Sequence, residues 1–281
     1  MSPFDQRRTQ SRGKLAPMPE LPEVETIVRG LRRCVLGRRI EHVELGQPRV
    51  LIGDVGRVAG FVVTSIRRRG KHIVLDLRRG RLSAHLFVHL GMTGQLVLDG
   101  QPGPHTHARF QLEGGLELLY NDIRQFGRLE FAERTPARLE RLGPDPFELG
   151  EAEFVQRFRS CRAMAKSLLL DQGFLSGLGN IYTDEALFRA RIHPRAISAR
   201  LRPARVAGLY HAIVEVLTES IRHGGSSISN YVSSDGRSGR FQLRHNVYRR
   251  TGRPCPVCGA LIRRIIIASR STHFCPKCQR G

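Results

Sequence analysis

The chain has 281 residues, 25% of them charged, and a formal net charge of +21 from 46 Lys and Arg against 25 Asp and Glu. That length can bury a full core in one large or two modest domains with an accessory module, and no apolar run approaches the roughly 20 residues a membrane-spanning helix needs. So one-sided a charge favours a polyanion, most often nucleic acid, over a neutral or acidic partner; the plainer reading is solubility in an Arg-rich proteome.

Residues 1–17 are polar, Pro-containing and aperiodic, which reads as a disordered extension or a misassigned start. They hold basic residues but no apolar stretch, so they are not a secretory signal. Arg7, Arg8, Arg12 and Lys14 set against Asp5 contribute only +3, so a basic tail does not explain the balance. Next comes Met18-Pro19-Glu20-Leu21-Pro22-Glu23. If Met18 is the initiator and is removed, Pro19 becomes a free secondary amine beside a carboxylate; otherwise its nitrogen is an amide without that chemistry. Val24, Ile27, Val28, Leu31 and Val35 recur at helical spacing and predict a helix over about Pro22 to Val35. Pro22 suits its first turn, and Glu23 and Glu25 suit the positive end of its dipole.

From Arg39 to Phe131 the pattern turns to short strands bounded by Gly and polar turns. They are 61–66, 72–77, 81–86, 95–98 and 116–120. Strands so closely spaced predict an antiparallel sandwich. Leu142-Gly143-Pro144-Asp145-Pro146 is a linker, because two prolines keep a helix from crossing it. Helices are expected near Glu151–Ser160, Lys166–Gln172, Asn180–Ala190 and Pro203–Arg222, with Gly173, Gly177 and Gly179 breaking the second from the third. A helix, a Gly-rich double turn and a second helix can aim backbone N–H groups at a phosphate; an ordinary helical hairpin is the even alternative. Gly224 to Arg253 is loop-like. Cys255-x-x-Cys258, sixteen residues, then Cys275-x-x-Cys278 is spacing for one structural four-thiolate zinc on a β-hairpin. With every ligand position filled, that metal has no open site for catalysis, and so small a ribbon needs it to hold together. The two spare thiols, Cys34 and Cys161, agree with a reducing cytosol.

Taken together, these pieces from Met18 onward resemble the formamidopyrimidine-DNA glycosylases, bacterial base-excision enzymes for oxidised purines. The motifs are Met18 to Thr26, Arg69-Gly70-Lys71, His89 to Gly94, Asn121 to Gly127, Gly177 to Glu185, Ser234-Asp235-Gly236 and the zinc ribbon. The resemblance implies an α+β multidomain protein. It has an N-terminal β-sandwich (18–142) flanked by helices, a linker (143–146), a helix-two-turn-helix DNA-binding domain (147–252) and a zinc β-ribbon (253–281). It implies a monomer that acts on double-stranded DNA containing oxidised bases, in a bacterial cytoplasm and on the nucleoid. In its chemistry the amine of Pro19 attacks C1′ of the damaged nucleotide, Glu20 donates a proton in sugar-ring opening, Lys71 serves the β-elimination, and Arg270 assists the δ-elimination. An α-amine ordinarily titrates near pH 8, so about a tenth of it is neutral near pH 7. The helix N-terminus disfavours its protonated form and Glu20 favours it; these effects oppose.

A base inside a duplex must be flipped out before it can react. By resemblance Met92, Arg124 and Phe126 fill the gap, with Phe126 as a wedge and Arg124 facing the orphaned cytosine. His105, Asn180 and Arg162 contact DNA, and Ser226 to Gly239 close over the extruded base. The chain departs from the family at Ile123 and Gln125, where Pro and Arg are common. It departs again at Cys161, where a basic contact is usual and neighbouring Arg162 substitutes. With residues 1–17 attached, Pro19 cannot attack, so the active species is expected to begin at Pro19. An endonuclease VIII-like enzyme for oxidised pyrimidines and a non-catalytic DNA-binding protein are the alternatives.

Overall fold

The structure, a computed structural model, describes residues 18–226 and 239–280. The extension 1–17, the Ser234–Gly236 motif and most of the expected closing loop lie outside the described residues. Helix α1 spans Leu21–Cys34, as its apolar spacing requires. Eight strands follow: β1 (Ile40–Leu45), β2 (Leu51–Ile52), β3 (Val62–Arg69), β4 (His72–Arg79), β5 (Leu82–His89), β6 (Gly94–Leu98), β7 (Thr106–Leu112) and β8 (Leu116–Asp122). Strand β9 (Arg128–Ala132) and a short helix α2 (Ala137–Glu140) complete the first half.

The strands form two sheets, ordered β1-β7-β8-β6 and β2-β9-β5-β4-β3. The expected sandwich is antiparallel except at one edge, where Leu51 and Ile52 pair in parallel with Leu129 and Glu130. This strand reaches the sheet from a turn at Pro48–Val50 and not through a hairpin, so nothing forces it antiparallel. Val24, Ile27, Val28 and Leu31 of α1 share a core with inward residues of both sheets, among them Ile66, Ile73, Val88 and Phe110. Each such buried side chain contributes about 1.5–3 kcal/mol.

The second half is helical: α3 (Glu151–Ser160), α4 (Ala165–Leu170), α5 (Asn180–Arg189) and α6 (Pro203–Arg222). Its core gathers Phe154, Phe158, Leu187, Leu209 and Leu217. Leu21, the first residue of α1, belongs to this second core, whereas Val24 belongs to the first. One helical turn therefore joins the two halves. Arg69 reinforces the joint by donating from Nη1 to the Gly143 carbonyl (3.0 Å) and from Nη2 to that of Leu142 (2.6 Å). Arg68 pairs with both Glu25 (3.1 Å) and Asp145 (2.6 Å). The chain ends in the hairpin β10 (Arg263–Ile267) and β11 (Arg270–Phe274). Its two turn residues, Ala268 and Ser269, have φ of 48° and 58°, the left-handed pair that matches strand twist.

Residues 181–188 of α5 are all buried, which is unusual for a helix of this length. Its Glu185 is fully enclosed and accepts the backbone N–H groups of Asn246, Val247 and Tyr248, each at 2.9 Å, with Asn246 Nδ2 at 3.0 Å. This pins the segment that leads into the terminal hairpin. Glu185→Ala would strip three amides of their carboxyl acceptor and is expected to cost about 3 kcal/mol or more. Urea unfolding measures this; a loss under about 1 kcal/mol would show that the segment is held by other means.

Candidate active site

The site forms where the N-termini of α1 and α5 meet. Glu20, only 3% exposed, precedes α1 and reaches across to α5. Its Oε1 accepts the N–H of Ile181 (2.9 Å) and its Oε2 that of Tyr182 (3.3 Å). The amides that the Gly-rich double turn is expected to offer to a phosphate thus hold a carboxylate of the chain itself, as an unsatisfied helix N-terminus favours. The glycines permit the approach. A Cβ on Gly179 would overlap the Glu20 carboxyl, and one on Gly177 (φ +92°) would lie 2.8 Å from Leu21 Cδ1.

Burial pushes the Glu20 carboxyl above its ordinary range, against the pull of Lys71 and of the N–H groups of Ile181, Tyr182 and Gly179. Lys71, in the β3–β4 turn, responds in the opposite sense: burial lowers its ammonium, Glu20 and Glu23 oppose that, and Arg270 adds to it. The folded chain therefore gathers Glu20, Lys71 and Arg270 from three distant segments into one electrostatic cluster. Pro19 is buried beside Glu20. Arg270, the first residue of β11, is exposed.

Glu23, which its position in the sequence marks only as a helix-dipole residue, is a second buried acid, 2% exposed. Its carboxylate accepts the N–H of Glu20 (2.9 Å), the N–H of Ser226 (2.7 Å) and the hydroxyl of Tyr182. Burial, then repulsion by Glu20, raises its pKa to about 7. Tyr182 also shares hydrogen bonds with Ser220 Oγ (2.6 Å) and Ser226 Oγ (3.3 Å). Only the fold brings these groups together, so no sequence pattern announces them beyond the acidic spacing of Glu20 and Glu23.

A second constellation lies on the sandwich. Asp122 is fully buried and accepts the N–H groups of Arg124 (3.2 Å) and Gly127 (2.8 Å) and the hydroxyl of Thr93. It thereby shapes the turn that presents Arg124 and Phe126. The Arg124 guanidinium lies 4.6 Å from the Phe126 ring centre, and its Nη1 is 3.6 Å from Met92 Sδ. The three expected gap-filling residues thus form one cluster, in which Phe126 is 44% exposed while Met92 and Arg124 are half-buried; Ile123, next to Arg124 in the chain, is 52% exposed. His105 is exposed, and its carbonyl accepts the Asp122 N–H (2.9 Å). Arg162 is exposed just past α3, and Cys161 is half-buried, with Sγ 3.5 Å from the Arg157 carbonyl. Asn180 begins α5 and spends one Nδ2 hydrogen on the Ser271 carbonyl (2.9 Å), while its Oδ1 is buried without a partner.

The Sγ atoms of Cys255, Cys258, Cys275 and Cys278 lie within 4.8 Å of one another. A tetrahedral zinc with bonds of about 2.3 Å has sulfur–sulfur edges of about 3.8 Å, so the four thiols fit the ion. Gly259 and Gln279 close the two knuckles by donating to the carbonyls of Cys255 and Cys275, both at 3.0 Å.

Three family models match the chain. They are the formamidopyrimidine-DNA glycosylase N-terminal domain over 18–129, its H2TH domain over 142–232, and a zinc finger found in FPG and IleRS over 252–281. The formamidopyrimidine-DNA glycosylase of Solibacter usitatus is 52% identical over 268 residues, covering 94% of this chain and all of the relative. That of Thermus thermophilus is 44% identical over 272 residues, covering 93% and 98%. The crystal structure of MutM (Fpg) from Thermus thermophilus aligns with a TM-score of 0.84 at 42% identity, over 93% of this chain and 98% of that one. Wild-type Lactococcus lactis Fpg in complex with DNA containing N7-benzyl-Fapy-dG aligns at 0.84 and 35% identity, over 94% and 100%.

The Glu23 environment has a measurable consequence. A carboxyl group whose folded pKa is about 7 against an ordinary 4.5 holds its proton more tightly in the folded state. Its contribution to stability is therefore complete below about pH 4.5 and is lost as pH rises towards 7. Glu23→Gln should flatten that part of the pH–stability curve, measured by denaturant unfolding. Identical slopes for both proteins would show that Glu23 titrates normally.

Proposed function

Because the chain belongs to the formamidopyrimidine-DNA glycosylase family, we propose that Pro19, Glu20, Lys71 and Arg270 carry out its chemistry. The enzyme removes oxidised purines from duplex DNA and cleaves the resulting abasic site. Family membership sets aside the oxidised-pyrimidine reading. The observation that carries the residue assignment is the enclosure of Glu20 between two helix N-termini, within electrostatic reach of Lys71 and next to Pro19.

The nitrogen of Pro19 forms a bond to C1′ as the glycosidic bond breaks and the base departs. Burial raises the Glu20 carboxyl and so favours its protonated form, and a proton from it goes to the sugar ring oxygen as the ring opens. The resulting iminium is the electron sink for the next steps. Loss of a proton from C2′ expels the 3′ phosphate, and loss of one from C4′ expels the 5′ phosphate. Burial of Lys71 favours its neutral form, so it can move a proton in the first elimination. Arg270 places a guanidinium against a departing phosphate. This chemistry needs a free secondary amine, so the active species begins at Pro19, and the family match also opens at Met18.

Met92, Arg124 and Phe126 fill the space left by the flipped nucleotide, with Phe126 as an apolar wedge and the guanidinium of Arg124 offered to the orphaned base. His105, Asn180 and Arg162 contact the DNA backbone. Zinc, when bound by Cys255, Cys258, Cys275 and Cys278, holds the terminal ribbon together and takes no part in the reaction. The sandwich (18–142), the helical domain (147–252) and the ribbon (253–281) are the working units, and the enzyme acts as a monomer in the bacterial cytoplasm. No helix among the described residues is long and apolar enough to cross a membrane.

Borohydride should link the active protein covalently to a duplex carrying 8-oxoguanine, and peptide mass mapping of the linked species should place the adduct on a peptide that begins at Pro19. A linked species that retains residues 1–17 would overturn the role of Pro19, and absence of any linkage would favour a protein that only binds. Cys275→Ala should lose zinc; metal analysis that still finds one ion per chain would refute the four-cysteine site. DNA affinity should fall steeply with salt, because neutralised phosphates release counterions. A flat dependence would contradict binding through the basic surface.

A further inference from the structure

Lys166 and Asp184 form an ion pair that the chemistry above does not use. Both side chains are fully buried, and Lys166 Nζ lies 2.6 Å from Asp184 Oδ1. An ion pair so deep has a large desolvation cost and is weak evidence for stability. Its hydrogen bonds point elsewhere. Lys166 Nζ also donates to the Ser271 carbonyl (3.1 Å), the acceptor that Asn180 Nδ2 shares (2.9 Å). Asp184 Oδ2 accepts both the backbone N–H of His273 (2.9 Å) and its ring Nδ1 (3.0 Å). The pair thus grips β11 at two nearby points, Ser271 and His273. The residue immediately before that grip is Arg270.

Asp184 lies one turn along α5 from the amides of Ile181 and Tyr182 that hold Glu20. A single short helix therefore fixes the Glu20 carboxylate at its N-terminus and the root of Arg270 along its side. Arg270 itself is exposed and has no ion-pair partner among the described residues, so its position is set by the strand that carries it. We infer that Asp184, with Lys166, is a positioning residue that registers Arg270 against the Glu20 end of the site by clamping Ser271 and His273 to α5. This rests on the role given to Arg270 above. It adds that the terminal hairpin is aimed by a buried ion pair as well as held by its zinc.

The test compares three zinc-loaded proteins on a duplex carrying an abasic site: Lys166→Met/Asp184→Leu, Asp184→Asn and Arg270→Ala. The double variant replaces both charges with apolar side chains of similar size, an exchange that buried ion pairs often tolerate. Three quantities are read: zinc content, borohydride trapping, and the ratio of δ- to β-elimination product. The double variant should keep its zinc and its trapping, while the product ratio falls on the order of tenfold towards that of Arg270→Ala. Displacements of about 1 Å can reduce a step by up to about a hundredfold. Asp184→Asn keeps one acceptor and should fall between. A wild-type ratio in a folded, zinc-loaded double variant overturns the inference while leaving the role of Arg270 intact. An unchanged ratio in Arg270→Ala removes the role of Arg270 and the inference with it. Parallel loss of zinc, trapping and cleavage in both Asp184 variants assigns the pair to folding alone, which also overturns it.

Discussion

Two helix N-termini converge on the Glu20 carboxylate, and much of the molecule is arranged around that encounter. A helix start leaves backbone N–H groups without partners, and α5 meets this need with an acid from a segment some 160 residues earlier. Burial at the junction of two domains would normally neutralise such an acid or exclude it. Here the N–H groups and Lys71 moderate the cost without abolishing it, so the group stays a stronger proton holder than a surface glutamate. The approach is close enough that no side chain fits at Gly179. The same contact that joins the domains therefore also sets the acidity of the Glu20 carboxyl.

Helix α5 extends this logic along its length. Its first amides hold Glu20, its tyrosine hydroxyl holds Glu23, its Asp184 grips the terminal hairpin, and its Glu185 ties down residues 246–248. Burial of a whole helix is expensive in polar groups, and each of these groups is spent on a contact with a different segment. The sandwich solves a separate problem in a similar way. Asp122, enclosed and surrounded by donors, shapes a turn in which Arg124 stacks over the exposed Phe126 and against Met92. In the gap-filling role proposed for it, a cluster held before DNA arrives leaves less ordering to be done on binding.

Much of the architecture is legible from local pattern. Helical spacing locates α1 and α6 to within a residue or two, because each has a single apolar stripe. The two Cys-x-x-Cys pairs announce the metal because ligand spacing is set by knuckle geometry. Strands β1, β2, β7 and β9 have no such individual signal. Their apolar positions are interrupted by charged residues such as Arg109 and Glu130, and they become strands only by pairing with better ones. The parallel edge at β2 has no local signature at all.

By itself, the sequence determined the order of the parts: a proline and glutamate ahead of an amphipathic helix, alternating strands, a glycine-broken helical pair and a four-thiol ribbon. These depend on short-range periodicity and spacing, which a linear chain carries openly. Tertiary structure alone decided which charges would meet. Glu23 became an acid that titrates near neutrality because the fold enclosed it beside Glu20. The amides expected to meet a phosphate were taken by Glu20, and Lys166 and Asp184 became a clamp on β11 and not surface residues of two helices. Such outcomes depend on distance and dielectric between segments far apart in the chain. No local pattern encodes either quantity.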